Sequence, residues 1–228
     1  KEITTSDIVF KIGPRINAAG RLEKASDSVR LLIAERKEHA EKLASSINDL
    51  NVRRREFDNK ITEEALSMIQ QNEKLLNAKS TVIFNENWHK GVIGIVASRL
   101  TDSYYRPTIV LTRSNNLITG SARSIKNFDI YDAIDNCSDL LEHFGGHKYA
   151  AGLSLKPENL EEFARRFEEY VANNIDNEEL IPELNVDLEI NFSDITPKFV
   201  RVLKQFAPFG PGNMAPVFLS RDVVDTGS

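Results

Sequence analysis

The sequence predicts an α/β protein: a long connecting helix, a mixed α/β domain after it, and then a partial β-rich segment. Three observations carry this. Apolar residues recur at three- and four-residue steps from about His39 to Asn72. Short β-rich runs alternate with helical ones from about Lys79 to Asn174, and Leu184, Val186, Leu188 and Ile190 alternate strictly with polar residues. The 228 residues, 41% hydrophobic and 28% charged, suffice for one large domain or two to three small ones with a packed core.

In chain order, KIGPRINAAGRLEKAS holds two glycines and a proline with little periodicity and reads as a structured loop. A short helix from Asp27 to about Ala34 follows, with Ser26 as N-cap, and Glu35 to Glu38 is a polar break. The long helix carries Leu43, Ile47, Leu50, Phe57, Ile61, Ala65 and Met68 on one stripe. Arg54 lies on that stripe between Arg53 and Arg55, and the triplet reads either as a solvated face or as an ionic contact to another domain or a nucleic acid.

Residues 80–84 and 108–111 are β-rich runs, and the helix between them, Gly91 to Leu100, turns Ile93, Val96, Ala97 and Leu100 inward. Residues 117–122 read as a strand, Asp129 as the cap of a helix through Ile134 and Asn136, and residues 151–155 as another strand. Pro157 sits where helices begin, with Leu160, Phe163, Phe167 and Val171 at helical spacing after it. Asn177 to Pro182 is an acidic linker. Beyond the alternating run come a helix near Pro197 to Phe206, a rigid turn at residues 207–213 and a strand at 216–219.

Net charge is −5, which argues against a protein that coats nucleic acid generally. Residues 1–78 carry +1 (14 basic, 13 acidic), residues 79–156 carry +2 (9 and 7), and residues 157–228 carry −8 (6 and 14). Contact with a polyanion is therefore expected in a local groove of the middle region. The single cysteine, Cys137, excludes an internal disulfide, argues against a thiolate metal site and reads as a small buried apolar residue; a reducing cytoplasm fits. No apolar run is long enough to span a membrane. The chain opens Lys1-Glu2-Ile3 without Met or a signal-peptide pattern and ends at residues 223–228 in strand-like sequence, so an excised fragment is expected.

Four strings could carry chemistry. In FGGHKYAAG, Gly145 and Gly146 let a backbone turn approach an anion, with His147 as donor, or else the string is a tight turn with a surface histidine. In GSARS, Ser121 and Arg123 share one face of a strand, so one phosphate can meet a hydroxyl and a planar guanidinium; the plainer reading is a salt-bridged strand end. NWHKGVIGIVASRL puts Trp88 and His89 before a helix N-terminus, which favours anions, although Trp88 reads as core and His89 as a loop tie. KIGPRINAAGRL brings Lys11, Arg15 and Arg21 into one basic segment, a backbone-binding edge or a joint paired with carboxylates. No Asp/His cluster has metal-ligand spacing, and neither an HExxH motif nor a phosphate loop occurs, so the chain shows no catalytic engine of its own.

These four strings, in this order and with LNVRRRE and FAPFGPGNMAPVF, resemble the RecJ family of DHH phosphoesterases over almost the whole chain. The resemblance implies residues 1–38 as a remnant of the metal-binding DHH domain, 39–78 as the connecting helix, and 79–175 as the DHH-associated substrate-binding domain. It implies 176–228 as a linker and truncated start of an oligonucleotide-binding domain. It further implies the gripping part of a single-stranded-DNA-specific 5′→3′ exonuclease of repair and recombination, inactive as a fragment. Ser121 and Arg123 would bind the terminal phosphate. Gly145, Gly146 and the catalytic His147 would face the scissile phosphodiester, with Arg21 along the DNA path and His89 beside substrate. Mn²⁺ or Mg²⁺ would serve the full-length enzyme and no metal this fragment. Single-stranded DNA and repair and recombination proteins would be its partners, with no membrane, and the chain would be a cytoplasmic monomer. A phosphodiesterase of short oligonucleotides or cyclic dinucleotides, and a non-catalytic nucleic-acid-binding scaffold, are the alternatives.

Overall fold

A computed structural model describes residues 3–224 and 227, so readings that touch Lys1, Glu2, Asp225, Thr226 and Ser228 lie outside the described residues. The chain divides into two compact units, Lys1–Ile181 and Pro182–Ser228.

The first unit opens with α1 (Thr5–Asp7), a π-helical turn (Ile8–Ile12) and α2 (Gly13–Leu22), so the stretch read as a loop is helical. Pro14 stands in the first turn of α2, where a missing N–H costs nothing. Ala18 and Ala19 are buried, and Ala19 packs with Ile47 and Leu50 of the long helix. Small residues hold α2 by close backbone approach, which leaves no apolar periodicity to read. α3 (Ser26–Leu32) is capped at Ala25 rather than Ser26.

The long helix, α4 (Lys37–Gln70), has 34 residues, about 50 Å at the usual helical rise. Ile47, Leu50, Ile61, Ala65 and Ile69 are buried along it, with Ile69 in place of Met68 and Phe57 partly exposed. Its buried face is not uniformly apolar, for Asn51, Asp58 and Thr62 are buried too. α5 (Glu73–Leu76) follows, capped by Asn72. The buried Arg106 guanidinium donates to the carbonyls of Leu75 at 2.8 Å and Leu76 at 3.2 Å and to Thr81 Oγ1 at 2.8 Å, tying this helix end to the sheet.

The sheet runs in the order β1-β2-β3-β5-β4, with β1 (Thr81–Phe84), β2 (Thr108–Ser114), β3 (Leu117–Arg123), β4 (Leu141–His147) and β5 (Ala150–Leu155). β1 and β2 are parallel and joined through α6 (Ile93–Tyr104), and the other pairs are antiparallel. Asn115, at φ 56°, supplies the left-handed residue of the two-residue turn between β2 and β3. The glycine-histidine string, read as a turn, is instead the end of strand β4; Lys148 and Tyr149 make the turn.

One face of this sheet is covered by α7 (Ile130–Asp135) and α8 (Leu160–Asn174): Ile109, Leu111, Ile118, Ala122, Leu153 and Leu155 pack with Ile130, Ile134, Phe163 and Phe167. On the other face α4 and α6 cover the β1–β2 side, where Ile83 and Val110 meet Ile61, Ile69, Val96 and Leu100. That half-covered face holds the candidate site.

In the second unit β6 (Leu188–Glu189) pairs in parallel with β7 (Phe218–Leu219), and α9 (Pro197–Lys204) lies between them in sequence, capped by Thr196. The strand read over residues 184–190 is thus two residues long. Asp187 and Ile190 donate to Val217 and Leu219, whereas Leu184 and Val186 are exposed, because alternation without a neighbouring chain makes no ladder. Among the described residues no helix is long and apolar enough to cross a membrane.

Two outcomes follow from the core. Phe167→Ala should cost about 3–5 kcal/mol in urea unfolding. Cys137 is buried, and burial pushes its thiol up to about 11, so it should resist a thiol-reactive dye at neutral pH until denaturant is added.

Candidate functional site

Alternation along β3 turns Ile118, Gly120 and Ala122 to the covered core and Thr119, Ser121 and Arg123 to the other face. The ladder carries that second set outward. Ser121 pairs with Gly152 and Gly152 with Gly145; Arg123 pairs with Ala150 and Ala150 with His147. Ser121, Arg123, Gly145 and His147 therefore occupy one sheet face. Gly152, Gly145 and His147 are exposed there, forming a shelf beside α6.

At the inner end of the shelf Arg123 is locked. Its Nη1 donates to the Ala122 carbonyl at 2.7 Å and to Ser121 Oγ at 3.0 Å, and its Nε donates to Ser98 Oγ of α6 at 3.2 Å. No described residue accepts from Nη2. Burial pulls the Arg123 pKa down, and the charge of Arg21 adds to this. Ser121 accepts from Arg123, so its own hydroxyl hydrogen stays available.

The glycines divide into two kinds. A Cβ at Gly94 would stand 3.0 Å from Ser121 Oγ and 3.2 Å from Arg123 Nη2, and one at Gly91 would stand 2.1 Å from the Arg21 carbonyl oxygen. One at Gly146 would stand 2.3 Å from the Ala150 carbonyl oxygen and 2.5 Å from Ala151 Cα, so packing requires that glycine. At Gly145 a Cβ would meet nothing within 4 Å, and at Gly152 only the Gly120 carbonyl oxygen at 3.9 Å. The protein's own packing does not demand glycine at these two, yet together they make the shelf flat. β4 is also a sheet edge, so part of its backbone has no strand partner.

His147 Nδ1 accepts from the Tyr149 N–H at 3.3 Å, so in the neutral ring the proton sits on Nε2. His89 does the same within its own loop, accepting from the Gly91 N–H at 3.1 Å, and its ring stacks on Phe57 at 5.5 Å. Trp88 is core, with Nε1 donating to Glu64 at 2.8 Å. Arg21 donates to the Gly91 carbonyl at 3.2 Å, and its charge reaches Arg123, Arg54 and Asp58. Thus Arg21 joins the shelf electrostatically, Gly146 serves the packing beneath it, and His89 ties a loop. Two contributors, Gly152 and Ser98, were missed in the sequence. Gly152, Gly94 and Ser98 all lie inside strings already singled out; Gly94 was legible as a close-packing glycine, but its place against Ser121 and Arg123, and the part of Ser98, show only through strand register and a helix contact. Among the described residues no three His, Cys, Asp or Glu side chains come together as a metal site.

Two family models match the chain: a DHHA1 domain at residues 72–173 and a RecJ OB domain at residues 186–227. The single-stranded-DNA-specific exonuclease RecJ of Bacillus subtilis is 38% identical over 225 residues, covering 98% of this chain and 28% of that protein. The RecJ of Escherichia coli is 33% identical, covering 96% of this chain and 39% of that protein. The crystal structure of Thermus thermophilus RecJ in complex with Mn²⁺ superposes with a TM-score of 0.84 at 31% identity, covering 94% of this chain and 31% of that one. A second structure of that protein, in complex with Mg²⁺, gives 0.83. The chain spans 28–40% of the length of the curated relatives it matches.

The division of the glycines has a measurable consequence. In urea unfolding Gly145→Ala and Gly152→Ala should leave stability unchanged or raise it by about 0.5–1 kcal/mol. Gly146→Ala should lower it, since backbone atoms must move.

Proposed function

The chain belongs to the RecJ family, and from that premise we propose that its shelf grips the 5′ end of single-stranded DNA, as the substrate-binding portion of a 5′→3′ exonuclease of repair and recombination. In this reading residues 39–78 connect, residues 79–175 bind the strand, and residues 176–228 are the linker and the start of an oligonucleotide-binding domain. One observation carries it: Ser121 O–H and Arg123 Nη2 are two donors held side by side, with the guanidinium already immobilised by Ser98, Ser121 and the Ala122 carbonyl.

A terminal phosphate offers two oxygens to that pair. The donors are oriented before the ligand arrives, so little freedom is lost on binding, and charge-assisted bonds from a half-buried guanidinium are strong ones. The flat floor at Gly145 and Gly152 lets the strand lie against the backbone. His147 lies in the row of Arg123, two strands away and so about 10 Å across the sheet. Its Nε2–H is placed to donate to a phosphate oxygen further along the strand. Arg21 adds positive charge beside the pocket. Fixing the terminal phosphate sets the distance from the end to the bond that is cut, which is the behaviour of an exonuclease. Mg²⁺ or Mn²⁺ is proposed as the cofactor of the intact enzyme, by likeness to the Thermus thermophilus complexes, where it would stabilise charge on the phosphate.

The chain by itself should release no mononucleotides from single-stranded DNA. It should bind single strands with log K falling against log[salt] by about 0.7 per phosphate contacted, measured by fluorescence anisotropy. In the intact protein Arg123→Ala should cut kcat/KM on 5′-phosphorylated strands by about 10- to 100-fold, the worth of one charge-assisted contact, and abolish the preference over 5′-hydroxyl strands. An undiminished preference would sink the assignment.

A further inference from the structure

Among the described residues the shelf leaves one buried carboxylate unused. Asp58 of α4 is fully buried. Its Oδ2 accepts from Arg99 Nη2 of α6 at 2.7 Å and lies 3.6 Å from Arg54 Nη1. Arg54 Nη2 donates to Asn51 Oδ1 and Arg99 Nη1 to Asn59 Oδ1, both at 3.1 Å. The remaining atoms, Asp58 Oδ1, Arg54 Nε and Thr62 Oγ1, are buried without a hydrogen-bond partner.

A staple between α4 and α6 would not need this. Apolar residues of similar volume serve such a contact at least as well as a buried ion pair, and α4 uses them at Ile61, Ala65 and Ile69. What the carboxylate does here is hold cations. Arg99 and Arg54 both contact Asp58, two positive groups on one negative, and the charges of Arg21 and Arg55 reach it as well, in a chain whose net charge is −5. Arg99 follows Ser98, the residue that anchors Arg123, and Arg21 acts on Arg123 as well. The fan thus adjoins the pocket of Ser121 and Arg123 and keeps an excess of positive charge.

We propose that Asp58 is a positioning residue: by fixing Arg99 and Arg54 it sets an arginine fan beside the terminal-phosphate pocket, where internal backbone phosphates of the strand are received. The proposal rests on reading the shelf as the strand-end site. Asp58 touches no DNA in it. It orients the groups that do and neutralises only one of them.

The test uses the intact protein and single-stranded oligonucleotides with a 5′-phosphate, comparing wild type, Asp58→Asn, Arg99→Gln and the double variant, each at a temperature where circular dichroism shows it folded. Asp58→Asn keeps the shape and removes the anion. Its expected signature is a steeper salt dependence of binding, with affinity at low salt at least that of wild type, and kcat reduced tenfold or more. Arg99→Gln should weaken binding and flatten the salt dependence, and the double variant should lose no more kcat than the worse single one, because Asp58 acts through Arg99. Wild-type kcat and salt dependence in folded Asp58→Asn, with only its melting temperature lowered, would mean a structural tie and overturn the proposal. If Asp58→Asn does not fold, unchanged binding by folded Arg99→Gln overturns it. A wild type that cleaves nothing from 5′-phosphorylated strands overturns the reading of the shelf itself, and this proposal with it.

Discussion

Helix α6 meets strand β3 at Gly94, where Ser121 Oγ and Arg123 Nη2 come so near that a side chain on the helix would crowd them by a few tenths of an ångström. That contact sets how low the helix rides on the sheet. Riding low, it brings Ser98 into reach of the Arg123 guanidinium and converts a long flexible side chain into a fixed one. It also ends the helical cover at β3. β5 and β4 continue outward, and of their residues on this face Gly152, Gly145 and His147 are exposed and Ala150 is half-buried. A donor pair at the foot of a wall and an open floor beyond it are two results of one packing distance.

The electrostatics follow the same local logic. Net charge −5 would repel a polyanion at long range, and the −8 balance of residues 157–228 makes the distribution uneven. Screening limits such fields to roughly 10 Å at ordinary ionic strength, so what a bound strand feels is the nearest side chains. At the proposed site those would be Arg21, Arg54, Arg99 and Arg123, drawn from three helices and a strand that no stretch of sequence places together.

The elements were legible where a single period governs them. β2 and β3, α6 and α8 bury the residues that their alternation or helical spacing marks, because each packs one face on one core. α2 was not legible, since the buried Ala18 and Ala19 hold it by closeness rather than by an apolar stripe. The end of β4 was not, because Gly145 and Gly146 weaken a strand on propensity grounds and only pairing with β5 keeps them extended. The strand over residues 184–190 was overread, as period two marks a face without supplying a partner. For the site, the pairing of Ser121 with Arg123 was visible from spacing alone. That Gly145 and His147 share their face depends on a bulge between Leu141 and His143, which shifts the register of β4 and has no counterpart in composition.

The polar middle of α4 shows how a fold can hold charge in a fixed place. Asn51, Asp58 and Thr62 occupy positions where an ordinary core helix carries apolar residues, and each buried polar atom without a partner costs free energy. The helix tolerates this because its apolar contacts lie on either side of Asp58: Ile47 and Leu50 with α2 before it, Ile61, Ala65 and Ile69 with α6 after it. Anchored at both ends, the segment between cannot turn to relieve itself, so Asp58 stays buried and Arg54 and Arg99 stay aimed at it. A loop would have let these side chains drift toward water and lose their geometry. Placing a buried ion cluster between two hydrophobic anchors trades stability for orientation, and orientation is what the role proposed for Arg54 and Arg99 requires.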